Sequence, residues 1–416
     1  MILRANWIVP VSRSPIRNGF VQVEGKRIAA LGAADSLSSA DRRASLDLGE
    51  SIITPGLINA HTHLELTCYA GALPPAPFWN WIERLIPLRA SPEAGEIELA
   101  SAAVGAWQSL RVGVTCVGDV SRCGVSWQAL KHVPIRKVCF AELMSIASQP
   151  PRTPDELCAA IESVEEDELL TVGFSPHAPY SVTDEHLSQS IALARQSGRP
   201  WCAHWAETRE EVAFIRGRAD ALPAFFTSYL ASKGLRPPCM RMGEYLAHVA
   251  DRAAPGVAAR FYGDTTPGIL AHGNYFDEDE FPSLATRGHT IAYCPRAHRF
   301  FGHSPHPLPQ MLAAGVQVIL ATDSAASNES LSVLEEARFV KSQLAAPPPN
   351  DALIRMITID AATALGLGRD TGSLEPGKLA DIAAFSCGDS VSEPLAAMLT
   401  HPVECRAVWV AGDRVI

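Results

Sequence analysis

The feature that most constrains this chain is an alternation. Short apolar runs recur through its middle, and longer stretches of helical periodicity separate them. Eight runs read as strands: Ile52–Ala60, Val112–Val117, Ile135–Ala141, Leu170–Ser175, Trp201–Ala203, Gly268–Ala271, Thr290–Tyr293 and Val316–Ala321. Helical patterns lie between them, as at Ala94–Leu110, Thr183–Gln196 and Leu331–Leu344. Eight strands alternating with helices predict an α/β chain folded as a parallel (β/α)8 barrel, a TIM barrel, whose sites open at the strands' C-terminal ends. A doubly wound open sheet is the alternative. The Gly-x-Gly-x-x-Gly turn expected after its first strand is missing.

Both ends of the chain read differently. Ile16–Glu24 alternates apolar and polar residues, Gly25-Lys26 turns, and Arg27–Leu31 resumes. Ala380–Ser386 and Ala407–Val410 are apolar strands, and Gly412-Asp413 marks a turn. This predicts a small composite β-sandwich domain from residues 1–54 and 368–416, with the barrel over 55–367. Two unrelated β decorations are the alternative. Two long connections, about Leu66–Glu93 and about Thr208–Pro267, are rich in aromatic residues. Such excursions shape a substrate pocket or serve as an oligomer contact.

Composition narrows the function. Of 416 residues, 35 are Lys or Arg and 45 are Asp or Glu, a formal charge of −10. An acidic balance argues against a nucleic-acid polymer as partner. No apolar run reaches the roughly 18 residues of a membrane span. Met1–Pro10 contains Arg4 and Asn6 and no small-residue cleavage site, so it does not read as a signal peptide. Ten scattered cysteines without a Cys-x-x-Cys pair fit reduced thiols in a cytoplasmic protein.

The 13 histidines carry the chemistry. Strand one ends Asn59-Ala60-His61-Thr62-His63, strand four Ser175-Pro176-His177, strand five Cys202-Ala203-His204, strand six Leu270-Ala271-His272, and strand eight Ala321-Thr322-Asp323. His61 and His63 are two apart on an extended strand and project to the same side. Imidazoles and a carboxylate converging from strands one, five and eight suit a divalent ion such as zinc, with one position open for water. The alternative is a set of core histidines satisfied by the backbone. Glu207, three residues after His204, can sit beside that water and move its proton. Alone, it also reads as a helix-start glutamate.

These residues, in this order, resemble the amidohydrolase superfamily. The branch is that of cytosine, guanine, adenosine and S-adenosylhomocysteine deaminases and chlorotriazine hydrolases. The resemblance rests on Pro55-Gly56-Leu57-Ile58-Asn59-Ala60-His61-Thr62-His63, Ser175-Pro176-His177-Ala178-Pro179-Tyr180-Ser181, His204-Trp205-Ala206-Glu207-Thr208, Ala271-His272-Gly273 and Thr322-Asp323-Ser324-Ala325-Ala326-Ser327-Asn328. Gly372-Ser373-Leu374-Glu375-Pro376-Gly377-Lys378-Leu379-Ala380-Asp381 matches the family's closing segment. It implies one divalent metal on His61, His63, His204 and Asp323, zinc first, with iron and manganese also able to take such ligands. It implies that His272 and Asp323 hold and deprotonate the attacking water. Glu207 then shuttles the proton, and His177 faces substrate. Dinuclear members carry a lysine on strand four. Residues 166–180 contain none, which favours one metal.

Choosing within the branch rests on fewer residues. After strand seven, relatives read Cys-Pro-x-Ser-Asn, and this chain reads Cys294-Pro295-Arg296-Ala297-His298. Arg296, His298 or His303 are candidates to replace that substrate contact, with loop packing as the alternative. Glu65, Trp81 and Arg89 lie in a stretch similar to aminofutalosine deaminases of the menaquinone route. The resemblance implies a 6-aminopurine nucleoside substrate, first 6-amino-6-deoxyfutalosine. There Arg89 would meet a carboxylate, Trp81 an aromatic arm, and Glu65 the ribose hydroxyls or a salt bridge. S-adenosylhomocysteine, 5′-methylthioadenosine and adenosine are close rivals, and guanine and s-triazines more distant ones. A non-catalytic binding protein on the same fold is the different class. Homodimers are common among similar proteins.

Overall fold

The computed structural model describes residues 1–122, 126–146, 152–253, 268–388 and 391–416. The chain opens with β1 (Ile2–Ile8), β2 (Ile16–Glu24), β3 (Arg27–Ala33), β4 (Leu46–Asp47) and β5 (Ser51–Pro55). The barrel strands follow: β6 (Leu57–Thr62), β7 (Val114–Arg122), β8 (Arg136–Leu143), β9 (Leu170–Pro176), β10 (Cys202–Trp205), β11 (Ile269–His272), β12 (Thr290–Tyr293) and β13 (Gln317–Leu320). β14 (Ile382–Ser386), β15 (Cys405–Val410) and β16 (Asp413–Arg414) close the chain.

The eight middle strands form two parallel sheets, β6-β7-β8-β9 and β10-β11-β12-β13. They are the two halves of the (β/α)8 barrel. A parallel bridge between Phe174 and Trp201 joins β9 to β10. At the other seam, Asn59 Nδ2 donates to Thr322 Oγ1 at 2.7 Å, and Thr322 N donates to Asn59 Oδ1 at 3.2 Å. All eight residues of β8 are buried, as befits a parallel strand covered on both faces.

The strand expected over Ile52–Ala60 is two strands. β5 belongs to the terminal sheet, pairing with β1 and β14, and β6 begins the barrel. Gly56 separates them because the backbone passes against Thr115. A Cβ there would stand 1.9 Å from Thr115 Oγ1. The terminal strands form one sheet, ordered β16-β15-β14-β5-β1-β2-β3, with β4 on β1. Its β3 edge returns to the segment before β14, where Ile28 N donates to Lys378 O at 2.8 Å. The sheet so curls over one apolar cluster that includes Leu3, Ile8, Val21, Ile28, Ile53, Ile382 and Trp409.

The two long connections are partly helical. The first holds a 3-10 turn at Leu64–Tyr69 and a helix at Phe78–Arg89. The second holds helices at Arg209–Ile215, Ala224–Ser232 and Met242–Arg252, and its residues 254–267 lie outside the described residues. Among the described residues, no helix is long and apolar enough to cross a membrane.

One buried ion pair ties barrel to sheet. Arg136 at the start of β8 donates to Asp381 through Nε at 2.8 Å and Nη2 at 3.2 Å. Asp381 also accepts from Ala411 N at 2.7 Å, and its side chain is 0 % exposed. Removing one partner strands the other charge in the interior. Asp381→Ala is therefore expected to lower unfolding free energy by about 3–5 kcal/mol in a denaturant titration. A loss below about 1 kcal/mol, the size for an exposed pair, would contradict this role.

Candidate metal and active site

The C-terminal ends of the barrel strands bring the expected residues together. β6 presents His61 and then His63, β10 His204, β11 His272, and the residue three beyond β13 is Asp323. The ligand atoms of His61, His63 and His204 lie within 4.8 Å of one another, as do those of His61, His272 and Asp323. His63 Nε2 stands 3.2 Å from His204 Nε2 and 3.6 Å from Asp323 Oδ1. His61 Nε2 stands 4.0 Å from the same oxygen.

Local structure holds this geometry. Asp323 and His272 sit in left-handed backbone, at φ 58° and 72°. Non-glycine residues persist there only when their surroundings fix them. Asp323 Oδ2 accepts from Ser327 Oγ at 2.5 Å, and its carbonyl accepts from Thr62 Oγ1 at 2.9 Å. The His272 carbonyl accepts from His306 Nε2 at 3.1 Å. Glu211 accepts from Ala206 N at 3.0 Å and Glu207 N at 2.8 Å, which fixes the turn carrying Glu207.

The donor set fits a divalent cation. His61 Nε2 is buried and has no hydrogen-bond partner among the described residues. His204 Nδ1 donates to His177 O at 3.0 Å, which leaves the lone pair on Nε2, the atom facing His63. Burial first, and neighbouring histidines second, push the His61 pKa well below its ordinary value. The same causes act on His63 and His272. His204 falls to about 4, by burial and then His177. Neutral rings with lone pairs converging in a dry site are what a metal requires.

Glu207 stands beside this cluster, with Oε1 at 3.5 Å from His272 Nε2. Burial, then Asp323, then Glu211 push its pKa well above the usual carboxylate range. Asp323 rises to about 6 through burial, opposed by Ser327. A carboxylate whose pKa is raised in this way is a stronger base, and can take a proton and hand it on.

The cluster opens into a cavity of about 610 Å³. His63, His177, His204, Glu207, His272 and Asp323 line it, together with the aromatic rings of Phe78, Trp79, Trp81, Tyr180, Phe226 and Phe301. The rings pack edge to face, as in Trp79 on Tyr180 at 5.1 Å and Trp81 on Phe301 at 5.3 Å. Of the expected substrate contacts, His177, Trp81 and Arg89 lie on the wall.

Three do not. Glu65 is off the wall, its carboxylate bonded to Arg89 at 2.6 Å, Ser121 Oγ at 2.9 Å and Arg122 N at 3.2 Å. It takes the salt-bridge alternative. Arg296 is turned to Asn328 at 2.9 Å and Glu336 at 3.3 Å, under the Thr322-Asp323 segment. The ring nitrogens of His298 contact Asn274 Oδ1 at 3.0 Å and Ser304 O at 2.7 Å. His303 likewise contacts Tyr275 Oη at 3.2 Å and is not on the wall. Arg89, though on the wall, is held by Glu65 and by Glu98 at 2.9 Å. One guanidinium between two carboxylates leaves little positive charge for a substrate.

Sequence reasoning missed Glu142 and Glu211, and it gave Ser327, which lies in the quoted strand-eight motif, no role. Glu211 was legible in Thr208-x-x-Glu211, the spacing of a capping box. Glu142 lies one residue beyond the strand end expected at Ala141, because β8 runs on to Leu143.

The chain is similar to known proteins along nearly its whole length. The profile of the amidohydrolase family matches residues 52–415. A 5-methylthioadenosine/S-adenosylhomocysteine deaminase of Saccharophagus degradans is 27% identical over 433 residues, 99% of this chain and 90% of that protein. An adenosine deaminase from Xanthomonas campestris, solved with bound zinc, superposes with TM-score 0.81 at 24% identity, over 99% of this chain and 92% of that one. Helicobacter pylori aminofutalosine deaminase in complex with methylthio-coformycin gives TM-score 0.84 at 22% identity, over 100% of each chain.

Proposed function

Because the chain belongs to the amidohydrolase family, we propose that it is a hydrolytic deaminase. It replaces the 6-amino group of an adenine nucleoside-type substrate with oxygen from water and releases ammonia. The observation that carries this reading is the pairing of two devices at one cavity. Four metal-competent side chains, His61, His63, His204 and Asp323, converge beside a buried carboxylate, Glu207, whose Oε1 stands 3.5 Å from His272 Nε2. When bound, a divalent ion, zinc first, supplies a Lewis acid that lowers the pKa of water toward about 7.

The chain's own residues do the rest. Glu207 takes one proton from water and gives it to the ring nitrogen; water's second proton, accepted by Asp323 or His272, passes back through Glu207 to the departing amine, which leaves as ammonia. His272 and Asp323 hold the water and accept its remaining proton. His177, with Nδ1 2.6 Å from Ser181 Oγ, presents Nε2 to the substrate. The aromatic wall excludes water and covers the apolar parts of the ligand.

Within this class, 6-amino-6-deoxyfutalosine, the menaquinone-route nucleoside, is the first substrate. Its aromatic arm suits the wall of Trp79, Trp81 and Phe226. Its carboxylate suits Arg122, which lines the same cavity, better than Arg89, which Glu65 and Glu98 hold. A second reading, methylthioadenosine or S-adenosylhomocysteine, is supported by the Saccharophagus relative. The test is kcat/KM across a panel of 6-aminopurine nucleosides. Aminodeoxyfutalosine at least about 10-fold above the others supports the first reading, a difference of about 1.4 kcal/mol in transition-state binding. Methylthioadenosine at the top transfers the assignment to the second.

A further inference from the structure

One carboxylate of the cavity has no part in the chemistry above. Glu142 is the penultimate residue of β8, in register with Ser175 of β9, so it lies beside His177 at the open end of the barrel. It is 7 % exposed and lines the cavity. Its Oε1 is 3.9 Å from His177 Nε2. Among the described residues, none donates a hydrogen bond to its carboxylate. A buried acceptor of this kind needs donors from elsewhere.

A second metal does not supply the answer. Glu142, His177 and His204 do lie within 4.8 Å of one another. However, His204 Nδ1 is committed to His177 O and its Nε2 faces His63. That leaves two donors, too few for a site of its own.

Resting on the nucleoside-deaminase reading, we propose that Glu142 is the residue that reads the ribose, accepting the hydrogens of its vicinal 2′- and 3′-hydroxyls. A carboxylate has two acceptor oxygens, and adjacent hydroxyls present two donors at matching spacing. The unprotonated adenine ring offers only its amino group as a donor, and that group is engaged at Glu207. The sugar hydroxyls are the donors that every adenine ribonucleoside brings to Glu142, beyond the charges of Arg89 and Arg122 that already act on it. Its place beside His177, whose ring centroid is 4.7 Å from that of His204, puts it next to the reacting end of the cavity. Glu65, the carboxylate that the sequence offered for this task, is occupied by Arg89, Ser121 and Arg122.

The test compares an adenine ribonucleoside with its 2′-deoxy counterpart. The metal-loaded wild type, Glu142→Gln and Glu142→Ala are measured by kcat/KM and by equilibrium dialysis of each nucleoside. The wild type is expected to favour the ribonucleoside at least about 100-fold, as buried groups built for a hydroxyl do. The preference is expected to shrink at least about 10-fold in Glu142→Gln and further in Glu142→Ala. A wild type that treats both nucleosides alike overturns the assignment, whether or not the variants fold. So does a preference unchanged in folded, metal-replete variants. A metal-loaded wild type that deaminates neither nucleoside overturns the deaminase reading and this inference with it.

Discussion

Glu207→Gln is expected to lower kcat by about 10³–10⁴-fold while leaving metal content at the wild-type level. The magnitude is that of losing a group that transfers protons in the transition state. The amide keeps the size and hydrogen-bonding reach of the side chain, and Glu211 holds the backbone turn regardless, through Ala206 N and Glu207 N. Fold and metal site should therefore persist. Metal analysis and steady-state kinetics on the same preparation check this. A variant retaining more than about a tenth of wild-type turnover would remove Glu207 from the proton path.

His61→Ala is expected to weaken metal binding at least about 100-fold, since loss even of groups that support a ligand costs about 10–100-fold. Activity at limiting metal should fall in proportion. His61 is the most deeply set of the proposed ligands, fully buried, with Nε2 lacking any other partner among the described residues. Competition with a chelator of known affinity measures the change. Full occupancy under conditions that load the wild type would place the metal elsewhere. The account also expects chelator-stripped wild type to lose activity by about 10³-fold and to regain it when the ion is restored.

The barrel and the metal-site cluster were legible because both are written in local patterns. The apolar runs come at barrel spacing, and His61, His63, His204, His272 and Asp323 stand where those runs end. What was not legible is what depends on contacts across the fold. Glu65 and Arg89 look like a ribose contact and a carboxylate contact in sequence, but Glu98, Ser121 and the Arg122 backbone turn them toward each other. Arg296 and His298 follow the strand that faces the site, yet Asn328, Glu336, Asn274 and Ser304 draw them away from it. Glu142 was missed for the opposite reason. Nothing in Phe140-Ala141-Glu142-Leu143 marks its carboxylate as lacking a donor among the described residues; only the packing of β8 against β9 and the cavity does.

The most direct measurement is ammonia released per nucleoside consumed, with zinc-loaded protein and adenine nucleosides that include aminodeoxyfutalosine, methylthioadenosine and adenosine. The account predicts one ammonia and one 6-oxopurine product per turnover, with no release from metal-free protein. A protein carrying a full complement of metal that releases no ammonia from any of them would contradict it.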